Sequence, residues 1–377
     1  MALVRDATPS DPVVPSPAST DPSPAVPAGF TSIPVVDLGR WQQGAGERAR
    51  LADDVRRICH EVGFFTVEGH GVDDAFLERY FTTLRAFFAL DEADKACIDK
   101  ANSPHFRGWE RVGSELTGGR TDYREQLDVS SEHPPYPIGV GPEYLRLDGP
   151  NQWLPESALP GFRATVTEFF ARMDVLAHRI MAVIATGLGL PERYFAEMFG
   201  ERPHSLAKLI SYPPTPPGEA GVNPHHDAGF LTILAQHGVG GLQALSPDGV
   251  SVDVEPRPGA FVINTGEMLQ ELSGNYVVAA THQVITSEAR FSSAYFHGPD
   301  LRTRLDPLPL EPRFADAVAA SARHAGAGFM ARRSELTEGV DGIAGRRGAG
   351  VYGRQLWNYY ARSYPANMAR HYGDPTG

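Results

Sequence analysis

Asn-Pro-His-His-Asp-Ala-Gly-Phe-Leu-Thr-Ile-Leu, residues 223–234, is the stretch that decides the fold and the chemistry of this chain. Side chains of an extended segment alternate between two faces, so His225 and Asp227 offer an imidazole and a carboxylate from the same face. A second imidazole, His282, follows 55 residues after Asp227. Two histidines and one carboxylate suit non-haem Fe(II), because they leave metal positions open for oxygen chemistry. The pattern predicts such a metal centre.

His226 lies between two of the predicted ligands, and its side chain is expected to point to the opposite face. We therefore interpret it as a residue of the pocket wall. The plainer alternative is that His225 and Asp227 form an ordinary turn pair and that His282 is a hydrogen-bonded core histidine. The order and spacing of the whole pattern favour the metal centre.

Arg290 and Ser292 share one face of a predicted strand eight residues beyond His282. A guanidinium fork beside a hydroxyl can bind an organic carboxylate with two hydrogen bonds. Tyr212, which precedes Pro213, could add a phenol hydrogen bond from an adjacent strand. An ordinary ion pair for Arg290 and simple packing for Tyr212 are the alternatives.

Composition limits the classes of partner. The net charge of −12 argues against nucleic acids and anionic membranes as main partners. No run of residues approaches the 18 apolar positions that a membrane span needs. Two cysteines cannot build a disulfide framework and fit a reducing cytoplasm. The oligomeric state is not indicated.

Four parts are expected along the chain. Residues 1–30 contain seven prolines and no apolar core, which predicts a disordered leader. Residues 31–200 alternate helical and strand patterns, with helices at 46–62, 73–90 and 161–189. Residues 201–300 consist of short β segments separated by turns, which is typical of a jelly roll. Residues 301–377 return to helical periodicity, at 312–325 and 353–371, and are expected to pack on the core.

The seven segments expected as strands of the core are Leu206–Tyr212, Phe230–Gln236, Gly241–Leu245, Val250–Val254, Ala260–Asn264, Val277–Ile285 and Phe291–Phe296.

Residues 102–150 are rich in glycine, proline and charge, and predict a long irregular segment. Such segments usually carry function, so we expect this one to close over the metal face and to choose the substrate. Arg107 and Glu115 within it are candidate contacts for an amino-acid-like substrate. His226 and Phe296 are further candidates, although simple packing explains each of the four equally well.

At this point the motifs are similar to those of a known family. The matching residues include Gly63-Phe64-Phe65, His225-x-Asp227, Gly241-Leu242-Gln243, Val262-Ile263-Asn264, His282-x-Val284 and Arg290-x-Ser292. From about Ile33 to Tyr372 the chain resembles the isopenicillin N synthase-like Fe(II)/2-oxoglutarate dioxygenases.

The resemblance implies a mainly β fold with flanking helices, a double-stranded β-helix or distorted jelly roll. It places Fe(II) on His225, Asp227 and His282. It places the 2-oxoglutarate carboxylate on Arg290 and Ser292, with Tyr212 contributing to co-substrate or substrate binding. It implies a dioxygenase that uses O2 and 2-oxoglutarate to oxidise a small organic or amino-acid-like molecule by hydroxylation, desaturation or cyclisation, and that releases succinate and CO2.

Three positions depart from the family's pattern, at Ile210, Glu267 and Gln283. None is a predicted metal ligand, but Ile210 replaces an asparagine that in many plant relatives lies near the co-substrate. Other functions stay open: an oxidative cyclase of the isopenicillin N synthase type that does not use 2-oxoglutarate, a 2-oxoglutarate-consuming ethylene-forming enzyme, and, least favoured, a metal-binding protein without activity.

Overall fold

The computed structural model describes residues 29–137, 139–321, 324 and 350–373. The predicted disordered leader, apart from residues 29 and 30, lies outside the described residues. So do the last residues of the helix expected at 312–325, except residue 324. Within the described part, no helix is both long enough and apolar enough to cross a membrane.

The helices are α1 Ala45–Glu61, α2 Asp74–Phe88, α3 Glu92–Lys95, α4 Phe162–Gly187, α5 Tyr194–Phe199, α6 Glu267–Leu272, α7 Pro312–Ala320, α8 Tyr352–Ser363 and α9 Pro365–Tyr372. The strands are β1 Val35–Asp37, β2 Phe64–Glu68, β3 Gly108–Glu110, β4 Leu116–Thr117, β5 Arg120–Thr121, β6 Glu125–Ser130, β7 Leu206–Tyr212, β8 Val222–His225, β9 Leu231–Gln236, β10 Leu242–Leu245, β11 Ser251–Asp253, β12 Phe261–Thr265, β13 His282–Val284, β14 Arg290–His297, β15 Arg304–Leu305 and β16 Gly350–Val351.

Two sheets face each other and form the predicted jelly roll. The larger sheet has the order β1-β2-β12-β9-β14-β7-β6-β3, and the smaller has the order β11-β10-β13-β8. A buried apolar cluster joins them, with Phe64 and Val262 from the larger sheet packed with Val222, Leu242 and Val284 from the smaller one. The mainly β fold with flanking helices is thus confirmed.

The other face of the larger sheet packs on the helices. Tyr295 of β14 contacts Phe170 of α4 edge-to-face, with ring centroids 5.1 Å apart. Its hydroxyl donates to Asp174 Oδ1 at 2.8 Å. Tyr80 of α2 hydrogen-bonds the Ser293 hydroxyl at 2.7 Å. These helices therefore hold the back of the strands whose front faces carry the site.

The segment expected to be irregular, 102–150, was predicted wrongly in its middle. β6 is a central strand of the larger sheet, between β7 and β3. Its side chains Gln126, Asp128 and Ser130 are buried although polar. The strand does alternate, but only Leu127 and Val129 carry the apolar half of the pattern, and a stretch this short within a segment rich in glycine, proline and charge is a weak strand signal.

Two other elements are shorter than expected. The strand predicted at Val277–Ile285 covers only β13, because Val278 N donates to Cys59 O and Ala279 N to Gln270 Oε1, outside the sheet. The single helix predicted at 353–371 is broken into α8 and α9 at Pro365, which lacks the N–H that a continuous helix needs.

Gly63 offers a test of how tightly α1 is joined to the sheet. It has φ +74°, and a Cβ there would collide with the carbonyl oxygen of Val278. Gly119 has the same φ but nothing within 4 Å of such a Cβ. We expect Gly119→Ala to lower the free energy of unfolding by about 1–2 kcal/mol, the backbone penalty alone.

Gly63→Ala should lower the free energy of unfolding by about 1–3 kcal/mol more than Gly119→Ala does, because the backbone at Val278 must shift. Urea denaturation of both variants measures the difference. Equal losses of unfolding free energy in the two variants would show that the backbone between Gly63 and Val278 accommodates the added Cβ without strain.

Candidate functional site

Two histidines face each other across the smaller sheet. β8 and β13 are antiparallel, and His225 at the end of β8 pairs directly with His282 at the start of β13. Their ring centroids are 4.2 Å apart. The register shifts by a bulge immediately after His282, so the pairing holds at the position where the two imidazoles meet.

Asp227 follows β8 by two residues and completes the group. Its Oδ1 lies 3.5 Å from Nε2 of His225 and 3.6 Å from Nε2 of His282. Its Oδ2 accepts hydrogen bonds from the Thr232 hydroxyl and, at 2.7 Å, from Asn264 Nδ2. The carboxylate is therefore held by one oxygen while the other faces both imidazoles.

The two imidazoles have a defined tautomer. Nδ1 of His225 lies 2.9 Å from Asn223 O, and Nδ1 of His282 lies 3.2 Å from Ala280 O. A carbonyl oxygen only accepts, so each Nδ1 carries the proton and each Nε2 carries the lone pair that can bind a metal. Burial and the neighbouring His225 lower the pKa of His282 to about 4, which keeps its ring neutral.

The charge of Asp227 suits a cation. Burial by itself would raise the pKa of this carboxyl, but interactions with His282, His225 and Thr232 outweigh burial and hold the pKa well below its usual range. The donor atoms of the three residues lie within 4.8 Å of one another. Two neutral imidazoles and one carboxylate match the ligand set of a non-haem Fe(II) centre with open positions.

A guanidinium is buried on the strand next to the group. Arg290 is 0% exposed, and it donates to Ser292 Oγ at 3.1 Å and to Gln236 Oε1 at 3.0 Å. Its Cζ lies 4.8 Å from the ring centroid of Tyr212, whose hydroxyl is 3.5 Å from Ser292 Oγ. Among the residues that the structure describes, no carboxylate lies within 4.0 Å of it, so the cation lacks an anion. Burial lowers its pKa, which shows that the charged form has lost solvation.

Two cavities share His225 and Asp227 in their walls. The first, which we call the sheet cavity, lies between the two sheets. Arg290, Tyr212 and all three candidates line it. The second, the helix cavity, lies against α8 and is lined by His225 and Asp227 but not by Arg290.

The helix cavity has a mainly apolar wall. α8 contributes Tyr352, Leu356, Tyr359 and Tyr360, and the rest of the apolar lining comes from other elements. Phe296, a candidate from the sequence, lines both cavities, and His226 lines the helix cavity. His226 points away from the ligand group toward Thr281, with Nε2 2.9 Å from its hydroxyl.

A cluster of paired charges forms the polar side of the helix cavity. Glu115 accepts from Arg124 at 2.7 Å and from Lys208 at 3.1 Å, and Lys208 also donates to Asp128 at 3.0 Å. Burial opposes ionisation of Glu115, yet the two cations hold the pKa of its carboxyl far below the usual range. Glu115 is thus placed beside the cavity, as an ion-paired residue.

Arg107, the other candidate from residues 102–150, lines neither cavity. It is 1% exposed, and its guanidinium donates to Leu147 O at 2.9 Å and to Gly149 O. From its sequence context alone, a polar residue in an apolar-flanked loop can equally well bind a ligand or bind backbone carbonyls. Here the structure shows the second, so the expected substrate contact is replaced by a backbone clamp.

Several lining residues carry no sequence motif, among them His204, Leu206 and Lys208. One signal for them existed. Alternate residues of a strand share a face, so assigning Tyr212 to the site also assigns the residues two, four and six positions before it, whereas His204 lies outside β7. Alternation applies to strands only and therefore gives no information on which side chains of α8 line the cavity.

Comparisons with known proteins agree with this geometry. A family model described as the N-terminal region of non-haem dioxygenases in morphine synthesis matches residues 33–156. The model of the 2OG-Fe(II) oxygenase superfamily matches residues 202–299, which contain the three metal-ligating candidates and Arg290.

Among curated relatives, the 2-oxoglutarate-dependent dioxygenase frbJ of Dothideomycetidae sp. (strain 11243) is 33% identical over 71% of this chain and 74% of its own length. Gibberellin 2-beta-dioxygenase 4 of Arabidopsis thaliana is 28% identical over 73% of this chain and 82% of its own length.

Solved structures give the same result. A full-length Neurospora crassa protein in complex with alpha-KG has a TM-score of 0.65 at 25% identity, covering 74% of this chain and 88% of that chain. JOX2 in complex with 2OG, Fe and JA has a TM-score of 0.59 at 28% identity, covering 79% and 87%. The chain belongs to the family of non-haem dioxygenases that depend on Fe(II) and 2-oxoglutarate.

Proposed function

We propose that His225, Asp227 and His282 hold one Fe(II), and that Arg290 with Ser292 receives the distal carboxylate of 2-oxoglutarate in the sheet cavity. The observation that carries this proposal is the buried Arg290 guanidinium in the same cavity as the three candidates. Among the described residues it has no carboxylate partner, and burying an unpaired cation is unfavourable unless a ligand supplies the anion.

The residues of the chain position and shield the reactants. Thr232 and Asn264 orient the Asp227 carboxylate, and the backbone carbonyls behind the imidazoles fix their Nε2 lone pairs toward the metal. The apolar side chains of Phe64 and Leu234 line the sheet cavity and exclude water from it. When bound, Fe(II) and 2-oxoglutarate supply the activation of O2, with succinate and CO2 as products of the co-substrate.

We further propose that the helix cavity holds the primary substrate, a small organic or amino-acid-like molecule whose C–H bond is oxidised. The cavity reaches His225 and Asp227, which supports its access to the metal. Glu115 and Lys208 bring both signs of charge to its polar side, while the α8 aromatics offer an apolar surface. Part of the segment 102–150 thus contributes to substrate choice, together with α8.

We propose the cytoplasm as the location. Support comes from the cysteines: Cys59 is buried, Cys97 is exposed, and both are free thiols, as expected in a reducing compartment.

The direct test of the function is an incubation with Fe(II), ascorbate, O2 and 2-oxoglutarate labelled at C1. Release of labelled CO2 with an equal amount of succinate is expected, even without the primary substrate, at a low rate. O2 uptake without succinate would favour the 2-oxoglutarate-independent oxidative cyclase, and labelled ethylene from fully labelled 2-oxoglutarate would favour the ethylene-forming type.

The metal ligands can be tested by iron content. Purified anaerobically, the protein should bind about one Fe(II) per chain. His225→Ala, Asp227→Ala and His282→Ala should each weaken iron binding by more than the roughly 10- to 100-fold that loss of an outer partner causes. Iron titration by equilibrium dialysis measures this.

His226→Ala is the matched control, because it removes the adjacent imidazole that points away from the group. It should keep its iron. If His226→Ala lost its iron and His225→Ala kept it, His226 and not His225 would be the metal ligand.

Arg290→Lys tests the carboxylate anchor. Lysine keeps the charge but loses the planar fork, and a lost charge-assisted hydrogen bond weakens binding by roughly 10- to 150-fold. The apparent KM for 2-oxoglutarate should rise by that factor. Arg179→Lys is the control, since Arg179 donates to His70 O at 2.8 Å and lines neither cavity. An unchanged KM in Arg290→Lys would assign Arg290 to the primary substrate instead.

A further inference from the structure

One face of β7 runs along both cavities. Tyr212 and Ile210 line the sheet cavity, Lys208 lines both, and Leu206 and His204 line the helix cavity. At a rise of about 3.3 Å per residue, Leu206 lies roughly 7 Å along β7 from Lys208, on the side away from Tyr212, and His204 lies two residues further along the chain, before the strand begins. His204 therefore marks the end of the helix cavity that is remote from the co-substrate anchor.

Asp148 sets the tautomer of His204. Nδ1 of His204 lies 3.0 Å from Asp148 Oδ1, and both side chains are 4% exposed. The second carboxylate oxygen accepts from Arg202 Nη2 at 3.2 Å. The hydrogen bonds from His204 and Arg202 outweigh burial and keep the pKa of Asp148 below its usual range. Since a carboxylate only accepts, the proton lies on Nδ1 and Nε2 keeps its lone pair.

The ring is neutral and its outer nitrogen is available. Burial lowers the pKa of His204, and its hydrogen bond to Asp148 only partly opposes this. Within the described residues, Nε2 of His204 makes no hydrogen bond, while the ring lines the helix cavity. An accessible acceptor in the wall of a mainly apolar cavity can gain a hydrogen bond when a ligand brings a donor to it.

The backbone on both sides of Asp148 is fixed by Arg107. Its two terminal nitrogens bind the carbonyls of Leu147 and Gly149, the residues that flank Asp148. The chain of contacts runs from Arg107 through this backbone to Asp148 and then to His204. Arg107, which lines neither cavity, thus fixes the position of Asp148 and, through it, of the His204 ring before a ligand binds.

We propose that His204 is a specificity residue, whose Nε2 accepts a hydrogen bond from an N–H or O–H group at the end of the primary substrate that lies away from the metal. The ligand class is a small, largely apolar or aromatic molecule with one such donor. The inference rests on the proposed function only in that the helix cavity holds the primary substrate.

The test uses pairs of probes that are similar in shape and differ in one donor: 4-hydroxyphenylacetate against 4-methoxyphenylacetate, indole against 1-methylindole, and thymine against 1-methylthymine. Each is titrated calorimetrically into anaerobic protein loaded with Fe(II) and 2-oxoglutarate. At least one donor-bearing member should bind about tenfold more tightly than its partner, the worth of one hydrogen bond.

His204→Leu should abolish that difference, and His204→Gln, which keeps an acceptor oxygen, should retain part of it. His297→Leu is the matched control, because His297 is also a buried histidine but lines neither cavity. It should keep the full preference. A preference that survives in His204→Leu overturns the proposal, and so does equal or undetectable binding of both members of every pair to the wild type.

Two measurements keep the outcome interpretable. Titration of Fe(II) and then 2-oxoglutarate without a probe tests the proposed function alone: failure there in the wild type rejects that function, while normal binding with no donor preference rejects only the role of His204. Long-range ¹⁵N–¹H spectra of histidine-labelled protein, with His204→Gln to assign the signal, should show the proton on Nδ1. A proton on Nε2 overturns the proposal even if His204→Leu fails to fold.

Discussion

The pairing of His225 with His282 across β8 and β13 is the constraint on which the site depends. Side chains alternate along a strand, so a slip of one residue would turn one imidazole to the opposite face of the sheet. Asp227 would then face a single nitrogen instead of two. The register is specified because β8 and β13 bury apolar side chains, Val222 and Val284, between the sheets. The packing of the smaller sheet therefore determines the geometry of the metal site.

Buried charge is used in two different ways around this centre. Glu115, Arg124 and Lys208 pair with one another and with Asp122 and Asp128, so both cations have carboxylate partners within the protein. Arg290 has hydroxyl, amide and aromatic neighbours but no carboxylate within 4.0 Å among the residues described. Breaking up the first arrangement would destabilise the protein, whereas the second is relieved when an anion binds. The ion-paired group around Glu115 therefore stabilises the fold, whereas Arg290 is available to bind the co-substrate carboxylate.

Elements with a regular pattern could be predicted from the sequence. β7 was expected at Leu206–Tyr212 and has those bounds, and the apolar spacing of α4 set its limits to within two residues. The convergence of the metal-ligating candidates followed from alternation and from the jelly roll. β6 was not recognised, because only Leu127 and Val129 carry its apolar pattern within a segment rich in glycine, proline and charge. Arg107 was assigned to the wrong neighbours, since its sequence context does not distinguish a ligand from a backbone carbonyl.

The two walls of the helix cavity have different freedom to change during evolution. The wall from β7 is tied to the register of the larger sheet, and Lys208 serves both cavities, so a substitution there disturbs co-substrate and substrate together. The wall from α8 belongs to a helix outside both sheets. Its partly buried side chains Leu356 and Tyr359 lie outside the strands, whereas the buried Tyr352 donates to His204 O beside β7. A lineage can therefore acquire new substrates through α8 while the oxidising centre stays as it is.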